Sequence, residues 1–287
     1  MPHSRDNLIG SLWMILAMAG FALEDASIKG AAQAMPVAQV LLIFGFGGMA
    51  VFGAWAAYRA QPVFTRDVLS KPMRIRAVFE ICARLFYVLA LTLTPLSSAT
   101  AIMQATPIVV VLGAAIFFGE NVGWRRWSAV VIGLLGVLLI LKPTPSSFSP
   151  LSIFAVLGML GFAGRDLASR AAPKSLSTAA LGVFGFAAIV FAGGAFTIWD
   201  GPNFVAMDLR QCGLMALAVG AGVMGYSALM QAMRTGEVAT VTPFRYTRLL
   251  FGLGLGVTLF GEQLDGQTLI GCAVVVASGL FLMWRGR

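Results

Sequence analysis

Apolar residues run along this chain in blocks about the length of a bilayer-crossing helix, separated by short polar breaks. A crossing helix needs about 20 mostly apolar residues at about 1.5 Å rise per residue. Ten such runs fall at 8–29, 37–58, 76–94, 97–118, 125–141, 151–171, 177–199, 211–233, 238–260 and 266–284. Several breaks are very short, such as Thr94-Pro95-Leu96 and the five residues from Gly261 to Asp265. Short breaks force successive helices to run antiparallel. The pattern predicts an all-α polytopic membrane protein with ten transmembrane helices.

The runs repeat. Met18, Gly20-Phe21-Ala22 and Asp25 return as Met159, Gly161-Phe162-Ala163 and Asp166 at an offset of 141, and Lys29 then aligns with Arg170. Phe118-Gly119-Glu120 returns as Phe260-Gly261-Glu262 at an offset of 142. The same offset aligns Thr100 with Thr242, Gln104 with Tyr246 and Thr106 with Arg248. Ala17-Met18-Ala19 mimics a signal-peptide cleavage site. The run is too long for a signal core, however, and its far end recurs in the second half. The chain therefore divides into repeats at 1–142 and 150–287, joined by the proline- and serine-rich stretch from Pro143 to Pro150. Five spans per repeat is an odd number, so the halves must enter the membrane from opposite sides. That inverted plan recurs in secondary transporters.

Composition agrees with the pattern. Of 287 residues 59% are apolar and 11% charged, with a mean hydropathy of +0.87. Soluble domains are about a quarter charged, and no large soluble domain fits between the runs. A net charge of +8 raises the question of nucleic acid, but the basic residues lie in the breaks. With the N-terminus inside, thirteen Lys and Arg fall on the inner side, three on the outer, and four lie within spans. The positive-inside rule then puts both termini in the cytoplasm. His3 is the only histidine, which excludes a histidine-based zinc-protease motif. Cys82, Cys212 and Cys272 stand far apart and read as packed thiols. No phosphate-binding loop or dinucleotide fingerprint occurs. No cofactor, metal or enzymatic activity is expected; the expected partners are a small-molecule substrate and the lipid bilayer.

The candidate chemistry sits in charges at membrane depth, each costing a few kcal/mol unless it faces protein, water or ligand. Arg84, Arg165, Arg245 and Arg248 lie within spans. Glu80 and Arg84 are spaced i,i+4 and can pair on one helix. Asp166 lies at a depth suited to Arg245, and no acid at matching depth is evident for Arg248. From Thr240 to Gly261 the helical period puts Arg245, Arg248, Gly252 and Gly256 on one face, where the small residues invite a neighbouring helix. Substrate-binding candidates are Arg245, Tyr246, Arg248, Tyr87, Gln104 and Thr106. Coupling or gating candidates are Glu24, Asp25, Glu80, Arg84 and Asp166, with Pro107 and Pro243 as helix breaks. Glu24 and Asp25 read either as an outer gate or proton carrier, or as interfacial charges. Phe86, Phe244 and Tyr226 add rings suited to a planar metabolite.

Ala90-Leu91, Thr94-Pro95-Leu96-Ser97-Ser98-Ala99, Gly119-Glu120 and its echo Gly261-Glu262 resemble the EamA-type drug/metabolite transporters. The segment Pro243-Phe244-Arg245-Tyr246-Thr247-Arg248 resembles the branch of bacterial riboflavin importers and S-adenosylmethionine uptake carriers. The resemblance spans essentially the whole chain. It implies ten helices in a bacterial inner membrane, a central cavity between the halves, and alternating access without ATP hydrolysis. It also implies a riboflavin-like heteroaromatic substrate, with export of amino acids or drugs as the alternative. The thirteen-to-three basic bias predicts that a reporter fused at Arg287 is active only in the cytoplasm; phosphatase activity there would reverse the topology.

Overall fold

The structure, a computed structural model, describes residues 2–93, 102–142, 149–201, 203–260 and 265–285. Among them are ten helices of 13 residues or more. They are α1 (Pro2–Ala32), α2 (Val37–Tyr58), α3 (Lys71–Leu93), α4 (Thr106–Phe118), α5 (Trp124–Leu141), α6 (Ile153–Ala171), α7 (Thr178–Asp200), α8 (Leu209–Thr235), α9 (Thr247–Phe260) and α10 (Gly266–Arg285). The Thr94-Pro95-Leu96 break, Thr100, most of the join beginning at Pro143, and Gly261-Glu262 lie outside the described residues.

Among the described residues, six helices are long and apolar enough to cross a membrane, namely α1, α2, α5, α6, α7 and α8. The other four differ from the uniform runs read in the sequence, each for a physical reason. α3 is long, but it carries Lys71, Arg74, Arg76, Glu80 and Arg84. α4 is 13 residues long because the chain turns at Gln104-Ala105 and restarts with Pro107 in the first helical turn. Proline suits that position, where its missing N–H would have no intrahelical partner. The run 238–260 splits into a single turn at Val238–Val241, a 3-10 segment at Thr242–Tyr246 holding Pro243, and α9 of 14 residues. The Thr242 hydroxyl is buried in that break without a partner among the described residues. The apolar part of α10 is Gly266–Phe281.

The helices pack mainly across the two halves of the chain: α1 on α8, α2 on α7, α3 on α6 and α5 on α10. α1 also meets α9, as α4 meets α6. Shifting every helix five places along maps this set of pairs onto itself. Facing positions give the direction. Gly10, Gly20 and Gly30 of α1 lie against Gly236, Gly225 and Leu214 at successively earlier positions, so α1 and α8 are antiparallel. Gly45 against Val190 and Gly182 against Phe52 show the same for α2 and α7, as do Gly136 against Gly271 and Gly133 against Ser278 for α5 and α10. Backbones touch at these crossings. A Cβ on Gly20 would lie 2.9 Å from Gly225 Cα, and one on Gly161 would lie 2.8 Å from Ala83 Cα. Small residues are what permit such approach between helices in lipid.

Gly252 does not follow that rule. A Cβ there would meet no described atom within 4 Å, so among the described residues no helix packs on it as the sequence pattern suggested. Elsewhere the outward faces of the bundle show Phe46, Ile116, Phe117, Leu135, Ile270 and Leu280. So continuous an apolar surface is matched by hydrocarbon rather than water. At the end away from the N-terminus, Gln39 exchanges hydrogen bonds with the Val205 backbone at 2.7 and 2.9 Å. There too Lys142 pairs with Asp265, which caps α10 through the Thr268 N–H. The Lys142 contact, followed by the Thr268 bonds, holds the Asp265 carboxyl well below the usual range.

The crossings make opposite predictions for two glycines. Gly20→Leu is expected to destabilise by about 1–3 kcal/mol through overpacking, read as a lower melting temperature in detergent. Gly252→Ala is expected to melt at or slightly above wild type, because alanine favours helix by up to about 1 kcal/mol. Equal melts for the two would remove the close α1–α8 crossing.

Candidate substrate site

Charged side chains from both halves converge in the interior. The deepest set runs from α3 through α6 to the broken segment before α9. Arg165 reaches Glu80 at 3.2 Å and Asp166 at 2.8 Å. Asp166 in turn pairs with Arg245. Arg76 approaches Glu80 at 3.6 Å and donates to Ser169 Oγ at 2.9 Å and the Leu181 carbonyl at 3.1 Å. Glu80 and Asp166 are almost fully buried, as are Arg76 and Arg165. Buried charges of this kind persist only when paired and hydrogen-bonded. The depth-matched Asp166–Arg245 pair read from the sequence is present. The Glu80–Arg84 pair is not: Glu80 turns to Arg165 and Arg76 instead. Sequence reasoning placed Arg76 among the loop residues, yet it is buried one helical turn inside α3. Its i,i+4 spacing to Glu80 was the available signal.

Arg248 also departs from expectation, because it has an acid. Its Nε and Nη2 donate to the two carboxylate oxygens of Asp25 at 2.8 and 2.6 Å, a bidentate pair between α9 and α1. Its guanidinium lies 5.3 Å from the centre of the Phe21 ring. Of the Arg248 side chain 42% remains open, and of that of Asp25 52%, so the pair borders an open crevice. Tyr87 of α3 lies within electrostatic reach of Asp25, Arg248 and Arg84, edge-on to Phe162 at 5.9 Å.

Two charged groups beside that crevice have no partner among the described residues. Arg84 makes no ion pair; its Nε is buried without an acceptor, and its guanidinium sits 5.5 Å from the centre of the Phe162 ring. Glu24 is 5% exposed, lies against Gly222 of α8, and makes neither a hydrogen bond nor an ion pair. The arginine left open is thus Arg84, where the sequence had pointed to Arg248.

The remaining candidates are satisfied elsewhere. Tyr246 is buried against Gly133 of α5, and its hydroxyl donates to the Val130 carbonyl at 3.2 Å. It packs with Val137, Ile140 and Val275. Thr106 donates to the Met103 carbonyl, and Gln104 lies in the turn before α4. Phe86 stacks on Phe154, Tyr226 joins Phe44, Phe52 and Phe186 between α2, α7 and α8, and Phe244 lies in the core. Cys82 and Cys272 are partly buried, whereas Cys212 is exposed, contrary to a packed thiol.

Comparison with known proteins decides what kind of machine this is. The sequence model of the EamA-like transporter family matches residues 8–142 and 150–284. The chain belongs to the EamA-like transporter family. It is similar to the S-adenosylmethionine uptake transporter of Rickettsia bellii, at 22% identity over 97% of this chain and 94% of that one. It is similar to the pseudopaline exporter CntI of Pseudomonas aeruginosa PAO1, at 27% identity over 95% of each. The riboflavin transporter of Rhizobium johnstonii shares 24% identity over 96% of this chain and 91% of its own. A solved crystal structure, 21% identical, superposes with a TM-score of 0.82 over 99% of both chains and shows the same fold. The protein is a membrane transporter, not an enzyme.

A polar clasp joins the two halves of this EamA-like transporter at the end carrying its N-terminus, a feature not seen in the sequence. Gly119 ends α4 in the left-handed conformation at φ 64°, and Glu120 then accepts hydrogen bonds from the Val238 and Ala239 N–H groups at 3.0 and 2.9 Å. Arg126 pairs with Glu237, whose N–H donates to Asn7 Oδ1 at 2.8 Å. The sequence reading gave Gly119-Glu120 the task of ending a helix and turning the chain. Its second task, capping a helix start more than a hundred residues away, leaves no local signal.

The two aspartates predict a contrast. Asp166→Asn leaves Arg165 and Arg245 short of a buried counter-charge and is expected to cost about 3–5 kcal/mol. Asp25→Asn faces an open crevice and is expected to cost about 1 kcal/mol or less. Thermal melts of both variants in one detergent check the order, and a reversed order would contradict the burial described.

Proposed function

We propose that this transporter is a secondary carrier of the bacterial cytoplasmic membrane, built of ten spans as two inverted five-helix halves at 1–142 and 150–287. It moves a small polar metabolite by alternating access. The antiparallel run of the counterpart pairs α2/α7 and α5/α10 supports the inverted plan. The observation that carries the reading is the half-open Arg248–Asp25 pair. A charge pair at membrane depth that keeps two-fifths of its surface open needs water or solute beside it. We assign substrate contact to Arg84, Tyr87 and Arg248. Arg245, Asp166, Gln104, Thr106 and Tyr246 position the breaks at Pro107 and Pro243. Of the acids considered for coupling, Asp25 and Glu80 are neutralised by arginines. Glu24, facing Asp25, Arg84, Arg165 and Arg248, is left to take and release a proton. Both termini are placed in the cytoplasm.

Uptake of a metabolite with a flat ring system, riboflavin-like, is supported by Tyr87 and Phe162 beside the crevice and by the riboflavin and S-adenosylmethionine carriers among the relatives. Export is the second reading, favoured by the 27% identity to the pseudopaline exporter. Purified protein in proteoliposomes, loaded with riboflavin, S-adenosylmethionine or an amino-acid mixture, tests the reading by exchange with and without a pH gradient. Exchange of at least one solute is expected, reduced about tenfold or more by Arg248→Ala, with a melt near wild type. Full exchange by that variant would move the site elsewhere.

A further inference from the structure

At the end of the bundle that carries the N-terminus, α2 stops, α7 starts and α8 stops around one cavity of about 380 Å³. Small-molecule sites span roughly 300–1,000 Å³. Three basic side chains from three separate segments line it: Arg59 just past α2, Lys174 in the link from α6 to α7, and Arg234 in the last turn of α8. Among the described residues no acid lines the cavity, and none of the three is in an ion pair. Asp67, on the segment after α2, accepts from Ser175 Oγ instead. Arg234 is half-buried and donates to the Leu176 and Pro173 carbonyls at 2.8 and 3.3 Å, which holds its charge at the wall without neutralising it. The start of α7 adds to the same field. Ser177 caps this 23-residue helix by accepting from the Ala180 N–H at 3.1 Å. Thr178 and Ala179, which also line the cavity, carry first-turn N–H groups with no partner within the helix. The positive-inside rule explains basic residues at one end of the spans, but it does not require three of them to converge on one recess.

Three cations around one recess repel one another, and an anion set between them replaces that repulsion with attraction. The Arg59 guanidinium can hold two oxygens of a phosphate with its planar fork, and Lys174 can approach a third as a point charge. The surroundings say where such a phosphate would come from. Trp55 lines the cavity, and Tyr58 beside it is exposed. Amphipathic rings of this kind sit at the level of lipid headgroups. Phe64, also exposed, folds back edge-on to Phe184 of α7 at 5.8 Å. Phe184 is about 9 Å along the helix from Thr178, so a basic recess opens beside an apolar ledge. A soluble anion would use the recess alone, whereas a phospholipid would use both. We infer that this cavity is a site for a phosphate group, supplied by the bilayer as the headgroup of an anionic phospholipid. A two-phosphate head such as that of cardiolipin matches the three cations best. The choline of a zwitterionic head would be repelled by them. Arg59 belongs to the first half of the chain and Lys174 and Arg234 to the second, so the bound phosphate would bridge the halves.

The test uses the full-length protein in dodecyl maltoside, with tetraoleoyl cardiolipin, dioleoyl phosphatidylglycerol and dioleoyl phosphatidylcholine as lipid probes. Native mass spectrometry follows the lipid-bound fraction as each is added, and calorimetry follows glycerol 3-phosphate and inorganic phosphate. Cardiolipin is expected to bind about tenfold or more tighter than phosphatidylcholine, with phosphatidylglycerol between them, since the contacts are charge-assisted. Arg59→Gln combined with Lys174→Gln alters only exposed side chains and is expected to reduce that preference about tenfold. Lys71→Gln combined with Arg125→Gln removes the same charge from exposed residues at the same end, outside the cavity, and is expected to leave the preference intact. Equal losses in the two double variants would show a diffuse effect of surface charge and overturn the site. Absence of any cardiolipin preference, with no binding of either soluble phosphate, would overturn it as well. Saturable binding of a soluble phosphate that the cavity variant weakens, without a lipid preference, would overturn the bilayer as the source and give the cavity to a soluble phosphate. None of these measurements depends on transport, so the outcome is independent of the substrate reading above.

Discussion

Neutralising charge inside a membrane is the constraint on which the rest of this structure depends. Asp25 and Asp166 occupy equivalent positions in the two sequence repeats, each on the first helix of its half. Both reach the same short stretch, where Arg245 and Arg248 follow the break at Pro243. An arginine at bilayer depth costs about 2.5–3.5 kcal/mol even on lenient scales. The two pairs therefore tie the broken segment to α1 on one side and α6 on the other. They differ in exposure: Asp166 is enclosed, while Asp25 borders open space. One aspartate anchors the break and its counterpart lines the crevice.

Broken helices and tight crossings divide the labour in this bundle. Where α1 meets α8, and α5 meets α10, glycines bring backbones into contact and leave no room for adjustment. Where α4 and α9 begin, the chain turns or tightens into 3-10 geometry at a proline, and ordinary helical hydrogen bonding lapses. Rigid crossings and compliant breaks would suit the proposed rocking of two halves about a fixed centre. The Glu120 clasp adds a restraint of another kind. Two charge-assisted hydrogen bonds from one half cap a helix start in the other.

The pattern of free and occupied charges is more informative than the presence of charge. Nine charged groups meet in the centre within a few helical turns, and local spacing suggests several ways to pair them. The pairing adopted joins Glu80, Asp166 and Arg165 with Arg76 and Arg245 beside them, as buried charge requires, while Glu24, as enclosed as Arg165, has no partner among the described residues. Arg84, one turn beyond Glu80 on α3, is left with an aromatic ring as its neighbour.

The sequence by itself determined the helical, membrane class of fold, and it supplied the expected repeat and depth of the charges. Each of these depends on hydrophobic periodicity or spacing, which are local properties. It was right that Asp166 would serve Arg245, since depth along two spans was sufficient information. It could not show that 238–260 is three pieces, because a proline among apolar residues reads equally as a kink or a break. It assigned Glu80 to Arg84 because i,i+4 spacing is visible in one helix, while Arg165, from α6, is brought within 3.2 Å only by helix packing. For the same reason it left Arg248 unpaired, since Asp25 is 223 positions away. Tyr246 stood between two arginines in sequence, yet the 3-10 turn rotates it into the α5–α10 core. Which arginine is left open is decided by rotation about each helix axis and by the partner opposite. Both are tertiary quantities, and no stretch of the chain contains them alone.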